Sequence, residues 1–448
     1  TWDQDYRLTG LVTAQGGTTI QNLTYGYNLA DNVTSITDNL ASGRNQTFTL
    51  DDLQRLTAAT GAYGSITYSY DAADNRLTRN LAGGPSETFT YGTTDNRLQS
   101  AAVTGQPTRT FTTNAAGDIV LDDRGAGNTV TITIGADMRP QTITVAGSGA
   151  TTVSYKHNAF GERVSRVEGS VTTHFHYDQN GRLIAESDGA GALIREYLWL
   201  GDKPLGLVVG PASSPTLYFV HADHLERVQK ITDASQTIVW DGQFTPYGRT
   251  HAIAGTVQNP LRFPGQWADP AAGYFYNYMR DYDPTLGRYL SVDPIGTAGG
   301  RNRFTYAGAN PQNIIDALGL EIIYEKGGVR FRAFPGPPAG GREHARMGPG
   351  GAYHVHLEDL AGRPGPRINV QSLPLEPLTP ADEKLFAGKF RDVCRSITAQ
   401  EQGYLNRATR EIFHQGKLPE NVERRRVQLQ EMNRFPGRRI IPRPGGPP

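Results

Sequence analysis

The chain has one cysteine, Cys394, in 448 residues. A lone thiol excludes an intrachain disulfide and any cysteine-rich zinc site. Long apolar runs are missing as well; none approaches the roughly 20 residues that a membrane-crossing helix needs. Thr1 does not open a signal peptide. Neither GxxxxGK[ST] nor a Rossmann GxGxxG occurs, so the two commonest phosphate-cradling loops are excluded. Net charge is also absent, with 44 Lys+Arg against 44 Asp+Glu. That balance is uneven along the chain. Residues 321–448 hold 21 basic and 14 acidic side chains, which leaves 23 and 30 for residues 1–320. A body at −7 attracts a tail at +7 at low salt, and the tail alone favours polyanions.

What the chain has in quantity is Gly (52) and Tyr (21), and a repeat that uses both. The repeat reads aromatic, any residue, aromatic or apolar, Asp/Asn, three variable positions, Arg/Asn, aliphatic. It occurs as TWDQDYRL from Thr1, YGYNLADNVT from Tyr25, FTLDDLQRLT from Phe48 and YSYDAADNRLT from Tyr68. It returns as FTYGTTDNRLQS from Phe89, FTTNAAGDIVL from Phe111, YKHNAFGERVS from Tyr155 and FHYDQNGRLIAES from Phe175. Alternating aromatic and β-branched residues predict a strand with one buried face. Asp/Asn followed by small polar residues predicts the turn, because these side chains bond their own backbone and tolerate left-handed φ. Residues 1–270 are therefore expected to be mainly antiparallel β, and no catalysis is expected there. His221 and His224, in YFVHADHLERVQKITD, fit another strand–turn–strand unit better than a metal site. A sheet this long must hide its edges, and coiling into a shell does so.

At Gly273–Leu320 the repeat gives way to a segment rich in Asp, Gly and aromatics. Asp281, Asp283, Asp293 and Asp316 fall within 36 positions, beside Arg280 and Arg288. Two carboxylates held close do not both ionise easily, so one can stay protonated while the other activates water. The competing reading is that these Asp residues only make turns and that Arg280–Asp281 is a local ion pair.

The repeats, followed by RDYDPTLGRYLSVDPIG and NRFTYAGANPQNIIDALGL, closely resemble the Rhs (rearrangement hotspot) and YD-repeat proteins. The resemblance covers residues 1–320, where RDYDP, GRYLS, DPIG, Asn310-Pro311 and the final Gly319-Leu320 occur together. It implies a spiral antiparallel β-sheet shell, a partial cocoon, at residues 1–270. A core-associated self-cleaving segment at 271–320 and a variable toxin at 321–448 would follow. Family shells are longer, and this chain starts inside a repeat, so a fragment with further sequence upstream is expected. The resemblance also implies aspartyl autoproteolysis without a cofactor. Asp293 and Asp316 match the family's cleavage aspartates, and Arg280 and Asp281 match further positions needed. The expected cut is Leu320–Glu321. One departure stands out: Asp316-Ala317-Leu318-Gly319-Leu320 replaces the family's Asp-Pro-x-Gly-Leu, which frees φ at position 317 and implies slower cleavage. Secretion into a target-cell cytoplasm is implied too, through a type VI spike or a Tc-type toxin complex. So is a cognate immunity protein, acidic to match the tail.

The tail reads as a small α+β domain. EIIYEKGGVRFRAF predicts a hairpin turning at Lys326-Gly327-Gly328, and AYHVHLEDL and PRINVQ predict two more strands. Thr379-Pro380-Ala381-Asp382 predicts a helix start, and further helices are expected around Tyr404–Phe413 and Glu420–Met432. His354 and His356 fall on one face of a strand, with Glu358 on it and Arg346 nearby. Such a set can supply a base, an acid and cations for phosphodiester cleavage, RNA ahead of DNA. A divalent metal on His354-x-His356 would make it a metallonuclease. His356-Leu357-Glu358 is the H-x-E of zinc deaminases, but their P-C-x-x-C partner is missing. A mono-ADP-ribosyltransferase using NAD, with Arg330 or Arg332 and Glu411, is a second reading. A non-enzymatic inhibitory binding module carrying Arg424–Arg426 is a third. Cys394 fits a helix core.

Overall fold

Each repeat folds around its own Asp or Asn. The computed structural model describes residues 1–4, 7–179, 181–294, 296 and 302–320, and the backbone of four strands at 323–326, 329–334, 353–359 and 364–370. In a typical turn, Asp51 Oδ1 accepts the N–H groups of Leu53 at 3.0 Å and Arg55 at 2.9 Å, while Oδ2 accepts Arg55 Nε at 2.8 Å. Gln54 takes the left-handed position, φ 64°. Asp178 and Arg182 repeat the pattern, as do Asp223 and Arg227. The Asp and Arg spaced four apart are thus the two ends of one side-chain-closed turn.

The aromatic residue that precedes the turn latches one repeat to the one before it. Tyr70 OH donates to the Leu56 carbonyl at 2.7 Å, Tyr91 OH to Arg76 at 2.8 Å and Tyr177 OH to Arg163 at 3.0 Å. A hydroxyl buried with a carbonyl partner costs nothing in lost hydrogen bonding, which explains why the position holds Tyr in so many copies.

The repeats generate a 23-stranded antiparallel sheet, from β1 (Gly10–Gln15) to β23 (Thr250–Gly255), in which each strand pairs with the next in sequence. One face is buried. In β6 (Gly64–Tyr70), Ile66 and Tyr68 are buried while Ser65, Thr67 and Ser69 are exposed. The sheet curls so that its early and late strands meet: Lys230 Nζ donates to the Ile20 carbonyl at 3.1 Å, and Arg44 pairs with Asp241 at 2.7 Å. Residues 1–320 lie within one compact unit.

The junction segment packs as a plug on the buried face. Three of its short strands, β25 (Phe275–Asn277), β26 (Arg280–Asp283) and β27 (Arg288–Tyr289), form a separate antiparallel sheet together with β24 (Trp267–Ala268), which lies just ahead of the segment expected at 271–320. Tyr274 and Leu290 sit with Ile119, Val130, Ile132 and Val153 of the wall. Leu286 sits with Phe89 and Leu98, and Trp267 and Tyr276 with Phe175. Burying side chains of this size contributes about 1.5–3 kcal/mol each. Ion pairs cross the same contact, with Arg109–Asp283 at 2.6 Å and Arg166–Asp269 at 3.1 Å.

Beyond Leu320, β28 (Ile323–Lys326) and β29 (Val329–Phe334) form a hairpin in which Lys326 faces Val329. They share a four-stranded sheet with β30 (Tyr353–Asp359) and β31 (Pro364–Val370). The helices expected in the tail, with Arg346, Cys394, Glu411 and Arg424–Arg426, lie outside the described residues. Among the described residues, no helix is long and apolar enough to cross a membrane.

Candidate active site

Side chains alternate along β26 as along any strand. Asp281 and Asp283 turn to the wall; Arg280 turns the other way, into the plug. Its guanidinium gathers the segment's other acids. Arg280 Nη2 stands 3.1 Å from Asp293 Oδ2 and 3.1 Å from Asp316 Oδ2. Nη1 donates to the Arg303 carbonyl at 3.1 Å, and Nε donates to the Gly319 carbonyl. The cation lies 3.5 Å over the Tyr289 ring. Arg280, Asp293 and Asp316 are all buried, with 5 % exposure or less.

Asp316 links this charge cluster to the end of the plug. Its Oδ2 also accepts the Tyr289 hydroxyl at 2.7 Å, and its Oδ1 accepts the backbone N–H of Leu320 at 3.0 Å. Asn277 Nδ2 donates to Tyr289 OH at 2.7 Å and to the Asp316 carbonyl at 2.8 Å. Burial pushes the Tyr289 hydroxyl well above its ordinary pKa, and the Asp316 charge adds to the shift. Backbone fit explains Gly319. It sits at φ 64°, and a Cβ there would collide with the Asn277 carbonyl oxygen. Gly265 presses on the Ala317 carbonyl from another side. The last five residues of the plug are held by backbone contacts as well as by the acid.

Of the four residues singled out for self-cleavage, the structure gathers three. Arg280, Asp293 and Asp316 form one cluster; Asp281 faces the wall and bonds Arg163 at 2.9 Å. Burial raises the Asp281 carboxyl, with Arg163 pulling in the opposite sense. His354, His356 and Glu358 occupy alternate positions of β30. His221 bonds Thr232 at 2.9 Å, and His224 donates to the Gln312 carbonyl at 2.9 Å. Among the described residues no group of three His, Cys, Asp or Glu side chains could hold a metal ion. Tyr289 and Asn277 were not legible as site residues. Within FYNYMRDYD and GRYLS they look like ordinary strand residues, and only their partners reveal their place.

No protein-family model matches the chain. Sequence relatives do. Double-stranded DNA deaminase toxin A of Burkholderia cenocepacia is 31 % identical over 215 residues, covering 37 % of this chain and 15 % of its own. RhsA of Dickeya dadantii, which bears the name "Probable deoxyribonuclease RhsA", is 31 % identical over 174 residues, covering 37 % and 12 %. The tRNA nuclease WapA of Bacillus subtilis is 25 % identical over 205 residues, covering 44 % and 9 %. Among solved structures, the TcdB2-TccC3 crystal structure superposes with a TM-score of 0.58 at 20 % identity, over 71 % of this chain and 18 % of that one. The chain therefore spans less than a fifth of the length of each of these proteins. The TcdB2-TccC3 likeness bears on the fold, and agrees with the coiled sheet and its plug. Repeat chemistry, sheet and relatives point the same way, and the chain belongs to the Rhs/YD-repeat family.

Proposed function

We propose that the plug cuts the chain at Leu320–Glu321 by aspartyl autoproteolysis and so frees residues 321–448 as a toxin. The observation that carries this reading is the cluster in which Arg280 bridges Asp293 and Asp316 while Asp316 holds the Leu320 amide. Asp316 accepts from Arg280, Tyr289 and Leu320, which favours its carboxylate form, and in this reading Asp293, on the same guanidinium nitrogen, is the protonated partner. Water then attacks the Leu320 carbonyl carbon, giving up a proton to a carboxylate, while the protonated carboxyl hydrogen-bonds the carbonyl oxygen. Collapse breaks the C–N bond, and the Glu321 nitrogen leaves with the proton that the carboxylate took from water. Positioned acid–base groups contribute about 10²–10⁴-fold to such a step. Asp293→Asn or Asp316→Asn should leave only the intact 48.8 kDa chain on a denaturing gel, where the parent chain gives two bands.

The freed tail is read as a nuclease, RNA ahead of DNA, that acts in a recipient cytoplasm after secretion. Its +7 charge, the alternate placement of His354, His356 and Glu358 on β30, and the nuclease names of RhsA and WapA support this. Arg346 would add a cation. A delivery machine and an acidic immunity protein complete the scheme. The test incubates the cleaved chain with RNA and DNA, with and without EDTA or NAD. Shortened nucleic acid, lost in a His354→Ala/His356→Ala variant, is expected; product that gains mass only with NAD would mean ADP-ribosyl transfer instead.

A further inference from the structure

We propose that Tyr289 and Asn277 act as positioning residues that set the Asp316 carboxylate for self-cleavage. The proposal rests on the autoproteolytic reading above. Tyr289 is fully buried, and its ring lies beneath the Arg280 guanidinium with Tyr282 and Tyr306 around it. Such packing alone would be met equally well by Phe. The hydroxyl does something else: it donates to Asp316 Oδ2, the same oxygen that meets Arg280 Nη2.

Asn277 fixes the direction of that donation. Its Nδ2 has only hydrogens to offer, so the Tyr289 oxygen accepts from it, and the single Tyr289 proton is left for Asp316. The second Nδ2 hydrogen goes to the Asp316 backbone carbonyl, so one amide holds the aspartate's backbone directly and its carboxylate through Tyr289. Asn277 is itself fully buried, and its backbone carbonyl lies against Gly319. The relay therefore touches the carboxylate, its backbone and the loop that leads to Leu320. A carboxylate held this way keeps one rotamer and keeps its charge, which are the two conditions for repeatable proton transfer at one peptide.

The test is pulse-labelled cell-free synthesis of the full chain, following conversion of intact to cleaved product across the acid to neutral range. Tyr289→Phe keeps the ring and should slow cleavage about 10–100-fold, the loss expected for a hydrogen bond to a charged group. It should also move the acid limb of the rate profile to higher pH, because a carboxylate that loses a donor holds its proton more tightly. Asn277→Ala should slow cleavage in the same direction, and the double variant should lose less than the product of the two effects. Tyr289→Phe and Asn277→Ala both cleaving at the parent rate would overturn the proposal. So would slowing that is uniform in pH and tracks lost thermal stability. Asp316→Asn is the control: if it still cleaves, the autoproteolytic reading itself has failed; if it is inert while Tyr289→Phe matches the parent, only the relay has.

Discussion

Arg163 on the wall holds Asp281 of the plug at 2.9 Å, across 118 residues of sequence. Next to Asp281 in the chain, Arg280 holds Asp293 and Asp316 on the opposite side of the strand. Two adjacent residues thus belong to two different structures, a wall contact and a cleavage cluster.

The two sides should separate by stability. Asp281→Asn leaves the buried Arg163 guanidinium with Asp269 at 3.4 Å as its remaining carboxylate. Breaking a buried pair costs about 3–5 kcal/mol, and Asp269 should offset part of it. Asp293→Asn leaves Arg280 with Asp316 at 3.1 Å and should cost less. Thermal denaturation of the two variants, each compared with the parent chain, checks this; equal losses would count against the separation.

Gly319→Ala should stop or greatly slow cleavage. Left-handed φ costs a non-glycine residue roughly 1–2 kcal/mol, and the added methyl would also push the loop off the Asn277 carbonyl. The shell should stay folded, since the strain lies at the plug's last turn. The readout is the ratio of intact to cut chain, alongside the melting temperature.

Ala317→Pro restores the residue the family usually has after this aspartate. The Ala317 N–H makes no backbone hydrogen bond among those of the described turns and loops, so Pro removes none of them. The substitution should speed cleavage modestly and, by restricting the unfolded chain, stabilise by about 0.4–1 kcal/mol. Pulse-chase rates for the two chains decide it.

Acid should weaken the shell in two stages. Burial lowers His157 and His221 from 6.5 to about 4, with nearby Arg163 and Lys230 respectively adding to it. A base with a lowered folded value gives its full stability above 6.5 and loses it as pH falls toward about 4. Asp283 follows at lower pH. Burial alone would raise its carboxyl, but Arg109 at 2.6 Å and the Thr285 hydroxyl bring it below its ordinary value. Its contribution is present above the ordinary carboxylate range and is lost as pH falls through the lowered value. Urea titrations at several pH values should show both stages, and His221→Gln should flatten the first.

The repeat was the most legible part of the sequence. Asp51 and Arg55, or Asp178 and Arg182, announce a turn because an Asx side chain can close it, and the structure closes it with that side chain. The Tyr latch was hidden, since Tyr70 and Leu56 are far apart until the strands pair. At the site, charge made the four aspartates and their arginines visible, and the family resemblance singled out Arg280, Asp293 and Asp316 along with Asp281. Period-two alternation separates Asp281 from Arg280, an inference that needed the strand to be placed first. Tyr289 and Asn277 carry no charge and no motif of their own, so nothing in the letters tied them to Asp316.

The most direct measurement is the intact mass and N-terminal sequence of the products of the parent chain, Asp293→Asn and Asp316→Asn after denaturation. The account predicts a new N-terminus at Glu321 in the parent chain and no cleavage in either variant. A cut elsewhere, or a cut at Glu321 in the Asp316→Asn chain, would contradict it.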